Sequence, residues 1–217
     1  MTKENLINQS ILASAKKEFL AYGYEKASLR QICKQANVTT GALYKRYKGK
    51  EELFGTLVRS TLQDLTKWIE EHVRQDYVLL QKGQTPPMTS NRYLDHLHHM
   101  MDFIYNHEDE MCLLLFKSTG SRYDRFTEET MISVTDETYR YLQAAKELHL
   151  ITQIVDKEHL HLALHSYFGM IFAPLSHGWN KEQAFKFCET IVALFNWGVL
   201  LGFEEETISY RKDNKNE

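Results

Sequence analysis

Residues 28–50 read SLRQICKQANVTTGALYKRYKGK and describe two short helices joined by a tight turn. Ser28 stands three residues before Gln31, the spacing of a capping box, in which each side chain satisfies a backbone N–H that the first helical turn leaves unpaired. Leu29, Ile32, Cys33 and Ala36 fall at i, i+3, i+4 and i+7. That is one apolar stripe on a very short helix, which must therefore pack on neighbours. Asn37 follows where the chain has to leave the helix. Asparagine accepts a left-handed backbone as few other non-glycine residues do, so a turn is expected there. Val38 plugs the corner, and Thr39 or Thr40 caps a second helix running through Leu43 to about Tyr47. Leu43 and Tyr47 form its inner i, i+4 pair. The outer face is left with Thr40, Gly41, Tyr44 and Lys45, flanked by Arg46 and Lys48. Small, hydroxylated, aromatic and cationic groups suit base edges and phosphates and suit a core poorly.

Upstream, Ile11, Ala15, Phe19 and Tyr22 mark one face of a first helix, with Gly23 as its C-terminal stop. It closes a three-helix core with the other two. Downstream, Glu51 and Glu52 favour the positive end of a helix opened by Gly49 and Lys50. Phe54, Leu57, Val58, Leu62, Leu65, Ile69 and Val73 continue the apolar face of that helix for six turns or more. Charge divides at the same place. Residues 1–50 hold ten Lys and Arg (Lys3, Lys16, Lys17, Lys26, Arg30, Lys34, Lys45, Arg46, Lys48, Lys50) against three Glu (Glu4, Glu18, Glu25), a net +7, whereas the whole chain is −3. The remainder is therefore −10. A basic segment on an otherwise acidic protein is what selective attachment to a polyanion requires.

Val38, Thr39, Gly41, Leu43, Tyr44 and Tyr47, followed by Lys50, resemble the helix-turn-helix of the TetR family of bacterial transcriptional regulators, and the likeness runs over residues 7–57. Asn37 stands where that family usually has Gly, and Tyr47 where it often has Phe. Asn can make the turn, and Tyr fills the same slot. The resemblance implies a homodimeric, ligand-responsive repressor released from a palindromic operator by a small-molecule effector. It implies that the long helix from residue 50 carries the signal between domains, and that the last two long helices dimerise. Tyr44, Thr40 and Gly41 are the expected base and sugar contacts. Lys45, Arg46, Lys48, Lys50 and Arg30 are expected on phosphates, with Thr39 beside them and Ser28 presenting its helix N-terminus to the backbone.

The whole chain reads as all-α: with three Pro and ten Gly there are long uninterrupted helical stretches and no alternating β-branched runs. The expected organisation is a DNA-binding domain over 1–49 with its motif at about 28–47, a ligand-binding and dimerisation domain over 50–205, and a polar tail over 206–217. KGQTPPMTSN at 82–91 marks a loop between helices. Amphipathic segments follow at 93–106, 109–118, 123–148, 157–177 and 181–203. The last two are rich enough in apolar residues, Val199 and Leu200 included, to exceed one inner face, which suits an isologous four-helix interface.

Phe103, Met111, Phe116, Tyr139, Tyr167, Phe168, Met170 and Phe172 are candidates to line a pocket for an apolar or aromatic effector. Ten histidines offer a second theme. His161 with His165 can share a helical face, as can His96 with His99, and His72 and His149 can meet across a cavity. No Cys or carboxylate completes these sets in sequence, so no cofactor and no metal are expected. The competing reading is a helical haem- or metal-binding protein without operator specificity. Cys33, Cys112 and Cys188 are odd in number, far apart and set among apolar neighbours, as suits buried reduced thiols. Residues 1–10 are polar and no run of eighteen apolar residues occurs, so a cytoplasmic protein with no membrane partner is expected. There is no nucleophile elbow, phosphate-binding glycine loop, zincin motif or dinucleotide fingerprint, so an enzyme is not expected.

Overall fold

The computed structural model describes residues 3–84, 90–195 and 197. Among them the chain is all-α: α1 (Lys3–Lys26), α2 (Leu29–Gln35), α3 (Thr40–Tyr44), α4 (Lys50–Gln81), α5 (Ser90–Asn106), α6 (Glu108–Phe116), α7 (Phe126–Glu147), α8 (Lys157–Ser176) and α9 (Lys181–Leu194). The expected end of the last helix at 203, the polar tail over 206–217, Val199 and Leu200 lie outside the described residues, as do residues 85–89 of the 82–91 loop. Two compact units form. One comprises the chain up to Lys67 together with His107–Glu129, the other Trp68–Asn106 with the chain from Thr130 onward.

The core of the first unit explains why it takes in α6, well beyond the 1–49 segment marked by charge. Ile11, Ala15 and Phe19 from α1, Ile32 from α2, Leu43 from α3, Leu53, Phe54 and Val58 from α4, and Leu113 and Leu114 from α6 are fully buried together. Phe54 meets Phe19 edge to face at 5.1 Å and Tyr24 at 5.4 Å. Outside this core, Lys16 pairs with Asp109 and Glu110, and the Tyr24 backbone N–H donates to the Lys117 carbonyl at 2.7 Å.

Three local expectations meet the structure in instructive ways. Asn37 takes φ 52, the left-handed turn that its side chain tolerates. Gly23 breaks α1 with φ 74 and ψ 167, but helical geometry resumes and the element ends at Lys26. The second helix of the motif ends at Tyr44, short of Tyr47: the Arg46 and Tyr47 N–H groups both donate to the Leu43 carbonyl in a tightened last turn, and Tyr47 is still buried. At Asn37, Asn37→Gly should leave stability within a few tenths of a kcal/mol, whereas Asn37→Val should cost about 1–2 kcal/mol, the penalty of a left-handed β-branched residue. Urea denaturation of the two variants checks this.

The second unit packs α5 on α9 and α8 on α9. Tyr93 from α5 and Tyr167 from α8 stack at 6.3 Å, and Trp197 donates to the Tyr93 hydroxyl at 2.7 Å, so the polar tips of buried aromatics are satisfied within the cluster. Pro174 lies inside α8.

Candidate nucleic-acid interface

The short α3 can present a rigid outer face only because each of its ends is fixed. Thr39 is the N-cap: its hydroxyl accepts from the Ala42 N–H at 3.1 Å. After the helix, the Lys48 N–H donates to the Glu52 carboxylate at 2.7 Å, tying the exit turn to the first turn of α4. Beneath lies fully buried Leu43. Outside stand Thr39, Thr40, Gly41, Tyr44, Lys45 and Lys48, all exposed, with Tyr44 presenting 56% of its surface. An alkyl group at Gly41 would meet only Thr39 Oγ1, at 3.9 Å, so the fold itself does not require glycine there.

The preceding helix is anchored less simply than a capping box. Ser28 Oγ accepts from the Gln31 N–H at 3.4 Å. The reciprocal half is supplied from α1: buried Glu18 accepts the Ser28 N–H at 3.1 Å and reaches Gln35 Nε2 at 3.5 Å. One carboxylate thus holds both ends of α2, and Gln31 is not needed for the second bond. Ser10 Oγ donates to the Ala36 carbonyl at 3.1 Å, closing the helix from the same side. Sequence reading had no local signal for either partner, since both lie in α1.

The cations expected at phosphates divide. Arg30, Lys45 and Lys48 are exposed. Arg46 folds back, Nη1 donating to the Ala42 carbonyl at 3.0 Å, with Nε buried and without a partner among the described residues. Lys50 turns inward: its ammonium donates to the carbonyls of Glu25 at 2.9 Å and Ala27 at 3.2 Å and lies over the Tyr24 ring. It caps the end of α1, so any phosphate it meets shares that ammonium. Tyr24 in turn donates to Glu51 at 2.7 Å; burial first, and then this bond, pushes its phenol up to about 12. Burial also pushes the Cys33 thiol up, leaving it unreactive.

The effector candidates divide between the two units. Buried Met111 and exposed Phe116 belong to the first unit; Phe103, Tyr139, Tyr167, Phe168, Met170 and Phe172 belong to the second. Tyr167 is buried against Tyr93, Phe168 and Trp197, while Phe168 and Phe172 pair at 5.9 Å. Phe103 lies beside Trp68 at 5.9 Å. Tyr139 has the Lys157 ammonium over its ring.

His161 and His165 stand with ring centres 6.2 Å apart, and His161 Nδ1 is 3.1 Å from Thr135 Oγ1. His149 is exposed on a left-handed turn, with φ 58. His72 lies instead against Trp68 and His96. Among the described residues no three His, Cys, Asp or Glu side chains are grouped so as to hold a metal ion.

Residues 11–57 match the model of the bacterial regulatory proteins of the tetR family. The chain is 34% identical over 61 residues to an uncharacterized helix-turn-helix-type transcriptional regulator of Bacillus subtilis, YhgD; the match covers 28% of this chain and 32% of that relative. Two solved structures share the fold. A TetR-family regulator from Streptomyces coelicolor has a TM-score of 0.58 at 20% identity, over 85% of this chain and 88% of that one. NalD, the secondary repressor of a multidrug efflux pump in Pseudomonas aeruginosa, has a TM-score of 0.55 at 18% identity, over 87% and 92%. Among the described residues no helix is long and apolar enough to cross a membrane.

Proposed function

We propose that the chain, whose residues 11–57 match the model of the bacterial regulatory proteins of the tetR family, is a homodimeric repressor of that family, released from a palindromic operator by a small molecule held in the second unit. The observation that carries the reading is the α3 face. Exposed Thr39, Thr40, Gly41, Tyr44, Lys45 and Lys48 surround a helix whose inner side is fully buried and whose two ends are fixed by hydrogen bonds. Such a face can enter a major groove without losing the order of the core beneath it. A dimer places two of them about 34 to 36 Å apart or at a multiple of that distance. Exposed Leu162 on α8 and Leu194 on α9 support pairing through these helices, since each leaves about two thirds of an apolar side chain in solvent. Continuous α4 begins beside α3 and extends into the second unit, which suits it to carry the effector's signal.

Selection of sites from a random duplex pool tests the reading. A palindrome bound at about 10⁻⁸ to 10⁻¹¹ M, at least about 10³-fold above random DNA, is the expected result. Enrichment of nothing by folded dimer would sink it. On the selected site, Tyr44→Ala should mainly lower discrimination between operator and random DNA. Lys45→Ala should weaken both alike and reduce the salt slope by about 1. Anisotropy titrations over a range of salt separate the two behaviours, and equal losses for Tyr44→Ala would contradict the division.

A further inference from the structure

From the side chains around Asp76 in the second unit, we infer that the small molecule recognised there is an organic cation, an amine or amidine bearing an aromatic or apolar body, bound by the Asp76 carboxylate and the Tyr141 hydroxyl. The inference rests on the reading of the second unit as effector-binding and adds the charge of the ligand. Trp68, His72 and Asp76 recur every four residues along α4 and share one face. Trp68 and His72 lie 3.8 Å apart between ring centres, and α5 brings His96 to 5.4 Å from His72 and Phe103 to 5.9 Å from Trp68. From α7, Tyr141 meets Tyr77 edge to face at 5.7 Å.

Two polar groups in this aromatic setting are unsatisfied. The Tyr141 hydroxyl is buried, on a residue only 9% exposed, and has no hydrogen-bond partner among the described residues. Among the described residues the half-buried Asp76 carboxylate has neither a hydrogen bond nor an ion pair within 4 Å, although it is close enough to Tyr141 for its charge to raise that phenol further. His72 cannot serve it well: its Nδ1 donates to the Trp68 carbonyl at 2.7 Å, which fixes the ring. A desolvated carboxylate without a donor is costly, and an orphaned hydroxyl beside it adds to the cost. A bound cation removes both penalties, with ring faces at hand for cation–π contact. An anion would meet Asp76 and the acceptor side of the phenol, and a neutral ligand would leave the carboxylate uncompensated.

Burial pushes the Asp76 carboxyl up to about 6, against the opposing pull of His72. The other groups in its surroundings are His96 on α5, held down to about 4 by burial, Tyr77 on α4, and Tyr141 with Glu137 and Arg140 on α7. Below about pH 6 a cation must displace the proton on Asp76, so its affinity should fall as pH drops through that value.

Benzamidine, benzamide and benzoate share one shape and differ in charge, and calorimetry with the full chain separates them. Benzamidine should bind about tenfold to a hundredfold more tightly than either isostere, the scale of one charge-assisted hydrogen bond. Asp76→Asn should abolish that preference, Tyr141→Phe should weaken binding severalfold, and exposed Glu71→Gln should change nothing. Equal binding of the three probes, no binding of benzamidine, or unchanged binding by Asp76→Asn would overturn the inference. The same probes are then added to the complex with selected DNA. Release by benzamide or benzoate but not by benzamidine keeps the regulator and removes the cation site. Binding of benzamidine that needs Asp76 but releases no DNA keeps the site and removes the effector role.

Discussion

Gly41→Ala is expected to weaken operator binding by about thirtyfold or more while leaving the melting temperature unchanged or slightly raised. Within the protein the added methyl meets only Thr39 Oγ1 at 3.9 Å, an ordinary contact, and the backbone is helical. Alanine is also the better helix former by up to about 1 kcal/mol. Nothing in the fold therefore asks for glycine at this position. What asks for it, on the proposed function, is the surface opposite. Gly41 sits between Thr40 and Tyr44 on the exposed face, and a methyl there holds the helix away from base edges that must come within about 3 Å of their partners. Losing or lengthening one or two such contacts costs about 2 kcal/mol or more, which is the thirtyfold change. Anisotropy on the selected site and a thermal melt of the same preparation measure the two halves. Unchanged affinity would place Gly41 away from the DNA.

The features legible in the sequence were those whose cause is local. Asn37 could be read as a left-handed turn, Thr39 or Thr40 as a cap, of which the structure uses Thr39, and Leu43 as the buried side of α3 because each depends on residues within one helical turn. Tyr44 was legible as an outward residue for the same reason: it occupies the face that the apolar period leaves over. Interactions between distant residues were not legible. Lys50 looked like a free cation in a basic segment, and only the arrival of Tyr24 and the end of α1 makes it a cap for carbonyls. The segment at 109–118 could be read as amphipathic, but nothing local said that Leu113 and Leu114 would be buried in one core with Phe54 and Ile11. In the second unit, aromatic residues drew attention because they are large, yet Tyr167 proves to be packed among other rings. That Asp76 and Tyr141 are left without hydrogen-bond partners among the described residues carries no sequence signal, since any helix of this composition displays acids and tyrosines at similar spacing.

Glu18 is the residue whose importance was least visible, and Glu18→Ala is expected to destabilise the first unit by about 2–4 kcal/mol, lowering the melting temperature by about 5–15 °C. The residue is only 3% exposed, in the middle of α1, and its carboxylate acts as the acceptor at both ends of α2. Alanine removes both the charge-assisted bond to the Ser28 N–H and the bond from Gln35 Nε2. Because α2 determines where the turn at Asn37 begins, and that turn orients α3, operator affinity should fall with stability and recover at lower temperature. Glu18→Gln keeps an acceptor of the same shape and should restore at least half of the loss. If the apolar core alone fixed α2, alanine would cost less than about 1 kcal/mol and glutamine would be no better. Chemical denaturation of the two variants distinguishes a helix pair held by packing from one held by packing and a single buried carboxylate, and the geometry around Ser28 and Gln35 favours the second.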